Sequence, residues 1–275
     1  MLTGLAYRML GSLADAEDVV QSAYVRWHSA DRAAVENPPA FLRTTVARLC
    51  LDHLESARAR RERYVGPWLP EPLVDRTLSD VPADADDVAA DISTALMLTL
   101  ERLSPIERAA FLLHDVLGVE FAEVARVLDR SEVACRQLAR RAREHVRADR
   151  PRYRPPPDEQ ARLAGAFLDA ARTGDVNALT QVLSEQVQMH TDGGGKVKAA
   201  LNVIRGRDKI IRFLVAQLPT LQQVEARPAT INGTAGFIVR YPDGVPRTLT
   251  FDFDEAGRIT ALYAVSNPDK LRGLA

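Results

Sequence analysis

Two proline-rich segments divide the sequence and place the strongest constraint on its fold. They are Gly66–Pro72, with the sequence GPWLPEP, and Tyr153–Pro157, with the sequence YRPPP. Proline lacks a backbone donor and restricts the residue before it, so neither segment continues a helix. A chain of 275 residues has room for about two domains. We therefore expect separate folding units, joined by stiff linkers.

The part before the first proline-rich segment, residues 1–64, has the pattern of amphipathic helices. Between residues 13 and 23, apolar side chains recur at helical spacing. The opposite, polar face carries Asp15, Glu17, Asp18 and Gln21. Asn37 followed by Pro38 predicts a second helix start, because asparagine caps a helix and proline fits its first turn. This second helix is predicted to end in a cluster formed by Arg58, Arg60, Arg61 and Arg63.

Residues 88–150 have the pattern of a helix-turn-helix. The order Ser104-Pro105-Ile106-Glu107 is that of a capping box and predicts a helix that ends near Gly118. An apolar helix over 121–128 and a turn at 129–131 follow. The next helix places Cys135, Ala139 and Ala142 on its inner face.

The outer face of that last helix is rich in arginine. Arg136, Gln137 and Arg140 suit base edges in a major groove, and they are flanked by Arg141 and Arg143, which suit phosphates. A solvated charged face is the alternative for any single run of charges. Here the preceding helix, the turn and the basic stripe coincide, which favours DNA binding.

Residues 159–275 change in character and predict an α+β domain after a proline-rich linker at 151–158. Helices are expected near 159–173, 177–183 and 208–218, with strands near 187–192, 229–240, 246–254 and 258–265. We expect a curved antiparallel sheet. His190 and Asp192 lie two residues apart on one strand, so they share a face and are candidates for general acid and base work in a pocket.

Composition excludes several functional classes. The 36 basic and 37 acidic residues nearly balance, which argues against a protein that coats nucleic acid nonspecifically. No apolar stretch approaches the ~20 residues of a membrane-spanning helix, and the N-terminus lacks a signal peptide pattern, so we expect a cytoplasmic protein that does not enter the membrane. The two cysteines, Cys50 and Cys135, are expected to be buried thiols. No spacing of potential ligands demands a metal, and we expect no cofactor.

Four motifs, in this order, resemble extracytoplasmic-function sigma factors of bacterial RNA polymerase. They are Ala14–Gln21, Asn37–Leu42, Leu51–Leu54 with the arginines beyond it, and Leu103–Arg108 before the helix-turn-helix. The resemblance implies two all-α domains, sigma domain 2 over 1–64 and sigma domain 4 over 88–150, joined by a linker at 65–87. Domain 2 would open and recognise the promoter −10 element, and domain 4 would recognise the −35 element. Members of this family usually carry about two further helical turns before Leu2, so we expect the chain to begin late.

The same resemblance implies specific roles for residues of the first domain. The face formed by Asp15, Glu17, Asp18 and Gln21 corresponds to the docking surface for the β′ clamp of core RNA polymerase, and domain 4 would contact the β flap. The promoter DNA contacts would come from Arg43, Arg48, Arg58, Arg60 and Arg61. Trp27 and Phe41 are candidates for stacking on bases, although packing within the protein explains such aromatics more often.

Three further motifs resemble the sigma factors that carry a C-terminal SnoaL-like domain, the actinobacterial SigJ type. They are Trp68-Leu69-Pro70-Glu71-Pro72, Asp192-Gly193-Gly194-Gly195-Lys196 and Asn267-Pro268-Asp269-Lys270-Leu271. The resemblance implies that residues 159–275 form a SnoaL-like, NTF2-like cone domain. In that group the domain acts as a built-in regulator, and the three motifs mediate contact between it and the sigma domains.

The sequence thus predicts a sigma factor that binds without catalysing a reaction, regulated by its last domain, in which a small ligand is possible. Two alternatives remain. One is a SnoaL-like enzyme of the cyclase or isomerase class with an appended DNA-binding region, using His190 or Asp192. The other is a helix-turn-helix repressor that binds duplex DNA alone.

Overall fold

The structure is a computed structural model that describes residues 1–61, 64–75, 92–149 and 153–274, with the side chains of 57–61 and 149 left undescribed. The chain divides into two compact units. Of the described residues, the first unit contains 1–61, Ile92 and 96–149, and the second contains 64–75, Ser93–Ala95 and 153–274. The first proline-rich segment, predicted to be part of the linker at 65–87, belongs to the C-terminal unit.

The first unit is helical throughout its described elements. Its helices are α1 (Leu2–Leu10), α2 (Leu13–Ser29), α3 (Pro38–Arg61), α4 (Thr94–Arg102, of which the first two residues belong to the second unit), α5 (Pro105–Phe111), α6 (Phe121–Leu128) and α7 (Glu132–Asp149). The capping box is present, since Ser104 and Glu107 bond each other's backbone N–H groups. The helix expected from residue 88 begins at Thr94, and residues 76–91 lie outside the described part. A wider π-helical turn, Leu112–Val116, completes α5 before Gly118.

Helices α6 and α7 form the predicted helix-turn-helix. Asp129 ends α6 in the left-handed region, with φ of 52°, and the side chain of Ser131 accepts a hydrogen bond from the N–H of Ala134 at the start of α7. Cys135, Ala139 and Ala142 are fully buried, as their spacing predicted. Arg108, only 2% exposed, donates to the carbonyl of Met9 and so ties α5 to α1. The two helical halves therefore pack as one unit.

The second unit is an α+β domain built on one six-stranded sheet. Its helices are α8 (Pro157–Thr173), α9 (Val176–Val182), α10 (Arg207–Ala216) and α11 (Leu218–Leu221), and its strands are β1 (Leu183–Asp192), β2 (Ile204–Arg205), β3 (Glu225–Ile231), β4 (Thr234–Arg240), β5 (Pro246–Phe253) and β6 (Ile259–Val265). The strand order is β2-β1-β6-β5-β4-β3. The core between helices and sheet includes Phe167, Leu179, Leu214, Phe251 and Leu262.

Two expectations about this sheet were wrong. The sheet is mixed, because β1 pairs with β6 in parallel, whereas we expected antiparallel pairing throughout. The single strand expected at 229–240 is a hairpin of β3 and β4 that turns at Asn232 and Gly233, with φ of 51° and 70°. Asn-Gly is a favoured two-residue turn because both positions require positive φ.

Residues 64–75, here called the connector segment, extend the sheet at its edge. Val74 pairs with Ile231 as an antiparallel bridge, and backbone hydrogen bonds join Asp75 to Thr230 and Asn232 to Leu73. The side chain of Asn232 also accepts from the N–H of Leu73, at 2.9 Å. An edge strand offers unpaired backbone groups, and the connector segment satisfies those at the C-terminal end of β3. None of the described helices is long and apolar enough to span a membrane.

Candidate functional sites

The outer face of α7 presents an exposed, hydrophilic surface. Arg136, Gln137 and Arg140 are all exposed, as the helical spacing predicted. Arg136 pairs with Glu132 at 2.8 Å and Arg140 pairs with Glu144 at 2.9 Å, each one helical turn away. Exposed pairs of this kind are weak, about 0–1 kcal/mol, so both guanidinium groups can exchange these partners for bases or phosphates.

Arg141 and Arg143, the predicted phosphate contacts, are held by acidic groups at the base of α7. Arg141 pairs with Glu107 at 2.8 Å, and Arg143 pairs with Asp115 at 2.6 Å. Burial raises the pKa of Asp115, and the Arg143 guanidinium offsets part of that effect. For Glu107, burial is outweighed by hydrogen bonds from Arg141 and Ser104, so its pKa lies below the usual value. Both arginines thus join α7 to α5 and to the π-helical turn that follows it.

Two of the five arginines predicted to contact the −10 element, Arg43 and Arg48, contact α6 in this structure. Arg43 pairs with Glu123 at 3.0 Å, with both side chains largely buried. Arg48 donates to the carbonyl oxygens of Val127 and Arg126, at 3.1 Å and 2.7 Å. These carbonyls lie at the C-terminus of α6, where the helix dipole favours a cation. Arg58, Arg60 and Arg61 continue α3, but their side chains lie outside the described residues.

Trp27 and Phe41 pack against each other with ring centroids 5.5 Å apart, and both are half-buried. The guanidinium of Arg32 lies 5.8 Å from the ring of Trp27. The contact between the two rings accounts for part of their burial. Both side chains remain partly exposed.

The polar face of α2 is exposed at Glu17, Asp18 and Gln21. Asp15 is less exposed than these three residues, being half-buried, and its carboxylate lies 3.5 Å from Nε2 of His53. About one turn beyond Gln21 on the same face, Tyr24 and Val25 are 47% and 61% exposed. Acidic groups therefore adjoin two large apolar side chains that pack against little of the described protein.

Asp192 is the centre of a buried polar cluster in the second unit, and it is fully buried. Its Oδ1 accepts from the hydroxyl of Tyr64 at 2.5 Å and from the N–H of Gly194 at 3.1 Å. Its Oδ2 accepts from the N–H of Leu69 at 2.9 Å and from Nζ of Lys270 at 2.7 Å. Burial and the adjacent carboxylate raise the pKa of Tyr64, so this phenol remains a donor. A carboxylate with four donors is fully satisfied, which is the condition for burying its charge.

Lys270 and Asn267 connect the third predicted motif to the connector segment. Lys270 also donates to the carbonyl of Leu69, and its ammonium lies 4.2 Å from the ring centroid of Trp68. Asn267 donates to the hydroxyl of Tyr64 at 2.8 Å. The ion pair is therefore enclosed by aromatic rings, which stabilise a cation when water is excluded.

The glycine turn allows a close approach between the second and third motifs. A Cβ at Gly194, where φ is 58°, would lie 2.3 Å from Nδ2 of Asn267, and one at Gly193 would lie 2.3 Å from the carbonyl oxygen of Val197. Gly195 lies against Val65. Lys196 pairs with Asp269 at 2.6 Å on the surface, which lowers the pKa of Asp269. Pro70 and Leu271 are buried around this cluster, whereas Glu71, Pro72 and Pro268 are half-buried.

The structure thus brings the three motifs together, and it adds Tyr64, which sequence reasoning missed. A phenol whose partner lies 128 residues away leaves no local pattern. His190 shares the face of Asp192, as predicted, and its ring lies tilted against that of Tyr263, with centroids 5.3 Å apart. This face is opposite to the one that carries Met189 and Thr191, which line the internal cavity of the domain. His190 and Asp192 therefore do not line this cavity, and Asp192 is bonded to the connector segment.

Comparison with models of known families identifies the class of protein to which the chain belongs. Residues 1–60 match the family model Sigma-70 region 2, and residues 93–146 match Sigma-70, region 4. These two regions together are those of a sigma factor, with the helix-turn-helix in region 4. These two matches do not favour the alternative of a SnoaL-like enzyme with an appended DNA-binding region.

The chain belongs to the extracytoplasmic-function (ECF) sigma factors of RNA polymerase. It is 40% identical to "ECF RNA polymerase sigma factor SigJ" of Mycobacterium tuberculosis, over 99% of this chain and 90% of that protein. It is 31% identical to "Probable ECF RNA polymerase sigma factor SigI" of the same organism, over 98% and 91%. The crystal structure of M. tuberculosis SigJ matches with a TM-score of 0.76 and 35% identity, covering 99% of this chain and 95% of that one. The predicted resemblance to this family is confirmed, as is the predicted order of two helical sigma domains followed by an α+β domain.

Proposed function

We propose that this sigma factor is restrained by its own C-terminal domain, which binds the connector segment between regions 2 and 4. The observation that carries the proposal is the burial of Asp192 together with its hydrogen bonds to Tyr64 and to the N–H of Leu69. Tyr64 follows region 2 closely in sequence, and Ser93–Ala95, at the start of region 4, also belong to the C-terminal unit. The domain thus holds both ends of the sequence that joins the two regions.

Promoter recognition requires the two regions to separate. The −35 and −10 elements are centred roughly 25 base pairs apart, or about 85 Å of duplex. In the first unit the two regions instead touch, with 3.0 Å between Arg43 of region 2 and Glu123 of region 4. We infer that this packed arrangement is a resting state that core polymerase must open.

The same contacts occupy groups that the promoter would need. Arg43 and Arg48 bond to α6, so their guanidinium groups are unavailable to the −10 strand in the resting state. Opening would release both, whereas Arg136, Gln137 and Arg140 are exposed already. The −35 contacts are therefore ready before the −10 contacts.

The proposed surface for the β′ clamp of core polymerase is the exposed face of α2, formed by Glu17, Asp18, Gln21, Tyr24 and Val25. Its acidic groups suit a basic partner, and its two exposed apolar side chains supply contact area. Region 4 would contact the β flap. In this proposal the protein acts by binding polymerase and promoter DNA, and no bond is made or broken by the C-terminal domain.

Run-off transcription with core polymerase tests the restraint. Asp192→Asn removes the ion pair with Lys270 and weakens the acceptors for Tyr64 and Leu69, so transcription should rise. Asp169→Asn, at an exposed position in the same domain, is the control and should match the parent. Unchanged or lower transcription by a folded Asp192→Asn protein would contradict the proposal.

A further inference from the structure

Val133 is a large apolar side chain on the exposed face of the second helix of the helix-turn-helix. It is the second residue of α7 and is 62% exposed. A β-branched side chain loses rotamer freedom in a helix, so valine is a weaker helix former than alanine. Burial and helix propensity therefore do not favour valine here, whereas contact with an apolar group of another molecule does.

The position of Val133 along α7 is that of a base contact. Cys135 and Ala139 mark the buried side of the helix. At 3.6 residues per turn, Val133, Gln137 and Arg140 lie on the side that points away from it. In a helix-turn-helix, the N-terminal residues of the second helix contact base edges in the major groove. Val133 is therefore the first side chain of this outer line, at the end that enters the groove.

The charged neighbours of Val133 are held to one side of α7 in the free protein. Glu132 and Arg136 pair at 2.8 Å, and the guanidinium of Arg136 lies 5.3 Å from the ring centroid of Phe121 on α6. The ring of His114 stacks on that of Phe121, with centroids 3.8 Å apart. An aromatic ring attracts a cation placed over its face. The ion pair is thus drawn towards α6, which leaves the methyl groups of Val133 at the front of the helix.

The major groove offers such a side chain one apolar group, the C5-methyl of thymine. Valine has two methyl groups and no donor or acceptor, so against any other base edge it would leave polar groups without partners. We propose that Val133 is a specificity-determining residue that contacts a thymine methyl in the −35 element. This contact goes beyond the restraint by the C-terminal domain, and it rests on recognition of the −35 element by region 4.

Substitution of deoxyuridine for thymidine tests the contact, because it removes the C5-methyl and keeps every hydrogen-bonding group of the base. Binding of core polymerase with the full chain is measured on promoter forks in which each thymidine of the −35 element is replaced in turn. At one position, deoxyuridine should weaken binding about fourfold, the effect of exposing one CH₂-sized apolar group. The same protein binds both DNAs, so any effect of the restraint on its affinity cancels in the ratio.

Variants assign this preference to Val133. Val133→Ala should bind the thymidine and deoxyuridine forks equally at that position, and Val133→Thr, which keeps one methyl group, should retain part of the preference. Val176→Ala is the matched control, because Val176 is the first residue of α9 in the C-terminal domain and is 47% exposed. This control should keep the fourfold preference of the parent. Circular dichroism of each variant checks the fold.

A fork with a scrambled −35 element distinguishes two ways in which the proposal can fail. If scrambling leaves the affinity unchanged, region 4 does not recognise the element, and the proposal fails together with its basis. If scrambling weakens binding but no deoxyuridine substitution does, the contact with thymine alone is overturned. A folded Val133→Ala protein that keeps the fourfold preference would likewise show that another residue contacts the methyl group.

Discussion

We expect the ammonium group of Lys270 to contribute more to the free energy of unfolding than any other single group of the Asp192 cluster. Lys270→Met would leave a fully buried carboxylate without its cation, and breaking such a pair costs about 3–5 kcal/mol. We expect the free energy of unfolding to fall by roughly that amount in chemical denaturation. Lys196→Met removes an exposed pair and should cost less than about 1 kcal/mol. Equal losses in the two variants would mean that burial of Asp192 does not determine its contribution.

Arg136→Ala and Arg140→Ala should each weaken binding to a −35 sequence by about 1–3 kcal/mol if the contact to a base is bidentate. A phosphate contact would instead weaken all sequences alike and flatten the salt dependence. Binding of core polymerase with each variant to a promoter fork, at several salt concentrations, separates the two. Arg162→Ala, in the C-terminal domain and 68% exposed, is the control. If both variants bind as tightly as the parent, Arg136 and Arg140 do not contribute to the DNA interface.

Asp18→Lys should lower the affinity for core polymerase, because Asp18 is exposed on the proposed docking face of α2. Asp169→Lys makes the same charge change on an exposed position of α8 and should not. Polymerase affinity and helical content are measured together. Retained affinity in Asp18→Lys would exclude the docking role, whereas loss of helical content would show that Asp18 supports the fold.

At the scale of elements, the glycine turn should control how firmly the connector segment is held. Gly194→Ala places a Cβ 2.3 Å from Asn267 and should displace the Asn267–Tyr64 hydrogen bond. Gly244→Ala has a comparable positive φ but nothing within 4 Å, so it isolates the effect of the contact from backbone strain. Hydrogen exchange of residues 64–75 should accelerate in Gly194→Ala and remain near the parent rate in Gly244→Ala. Equal rates would show that the close approach is not needed.

Some of these elements were predictable from local sequence signals, and others depend on contacts between residues far apart in the chain. The helix-turn-helix was predictable because capping, apolar spacing and the turn are local signals, and Arg136, Gln137 and Arg140 are exposed as expected. The hairpin at Asn232-Gly233 carried a local signal too, and sequence reasoning overlooked it. The parallel pairing of β1 with β6 and the contact of Arg43 with Glu123 join residues far apart in the chain, so no local pattern specifies them.

For the whole molecule, the proposed opening has a direct spectroscopic consequence. A donor and an acceptor at Asp52→Cys and Ala148→Cys would label exposed positions of regions 2 and 4. The native thiols of Cys50 and Cys135 are buried, and burial raises the pKa of Cys50 to about 12, so they should resist labelling. Energy transfer should be high in the free protein and fall when core polymerase and promoter DNA are added. Transfer that is unchanged on binding would show that the regions do not separate.

Strand β1 also bears on how a fused regulator of this kind can diversify. Its side chains alternate between the cavity and the connector segment, so neighbouring positions serve different partners. Substitutions at Met189 or Thr191 can reshape the cavity while Asp192 keeps its bonds, so the cavity lining can change without altering the Asp192 cluster. An inserted or deleted residue within the strand would exchange the two faces. Point substitutions along β1 are therefore compatible with both faces of the strand, whereas an insertion or deletion within the strand is not.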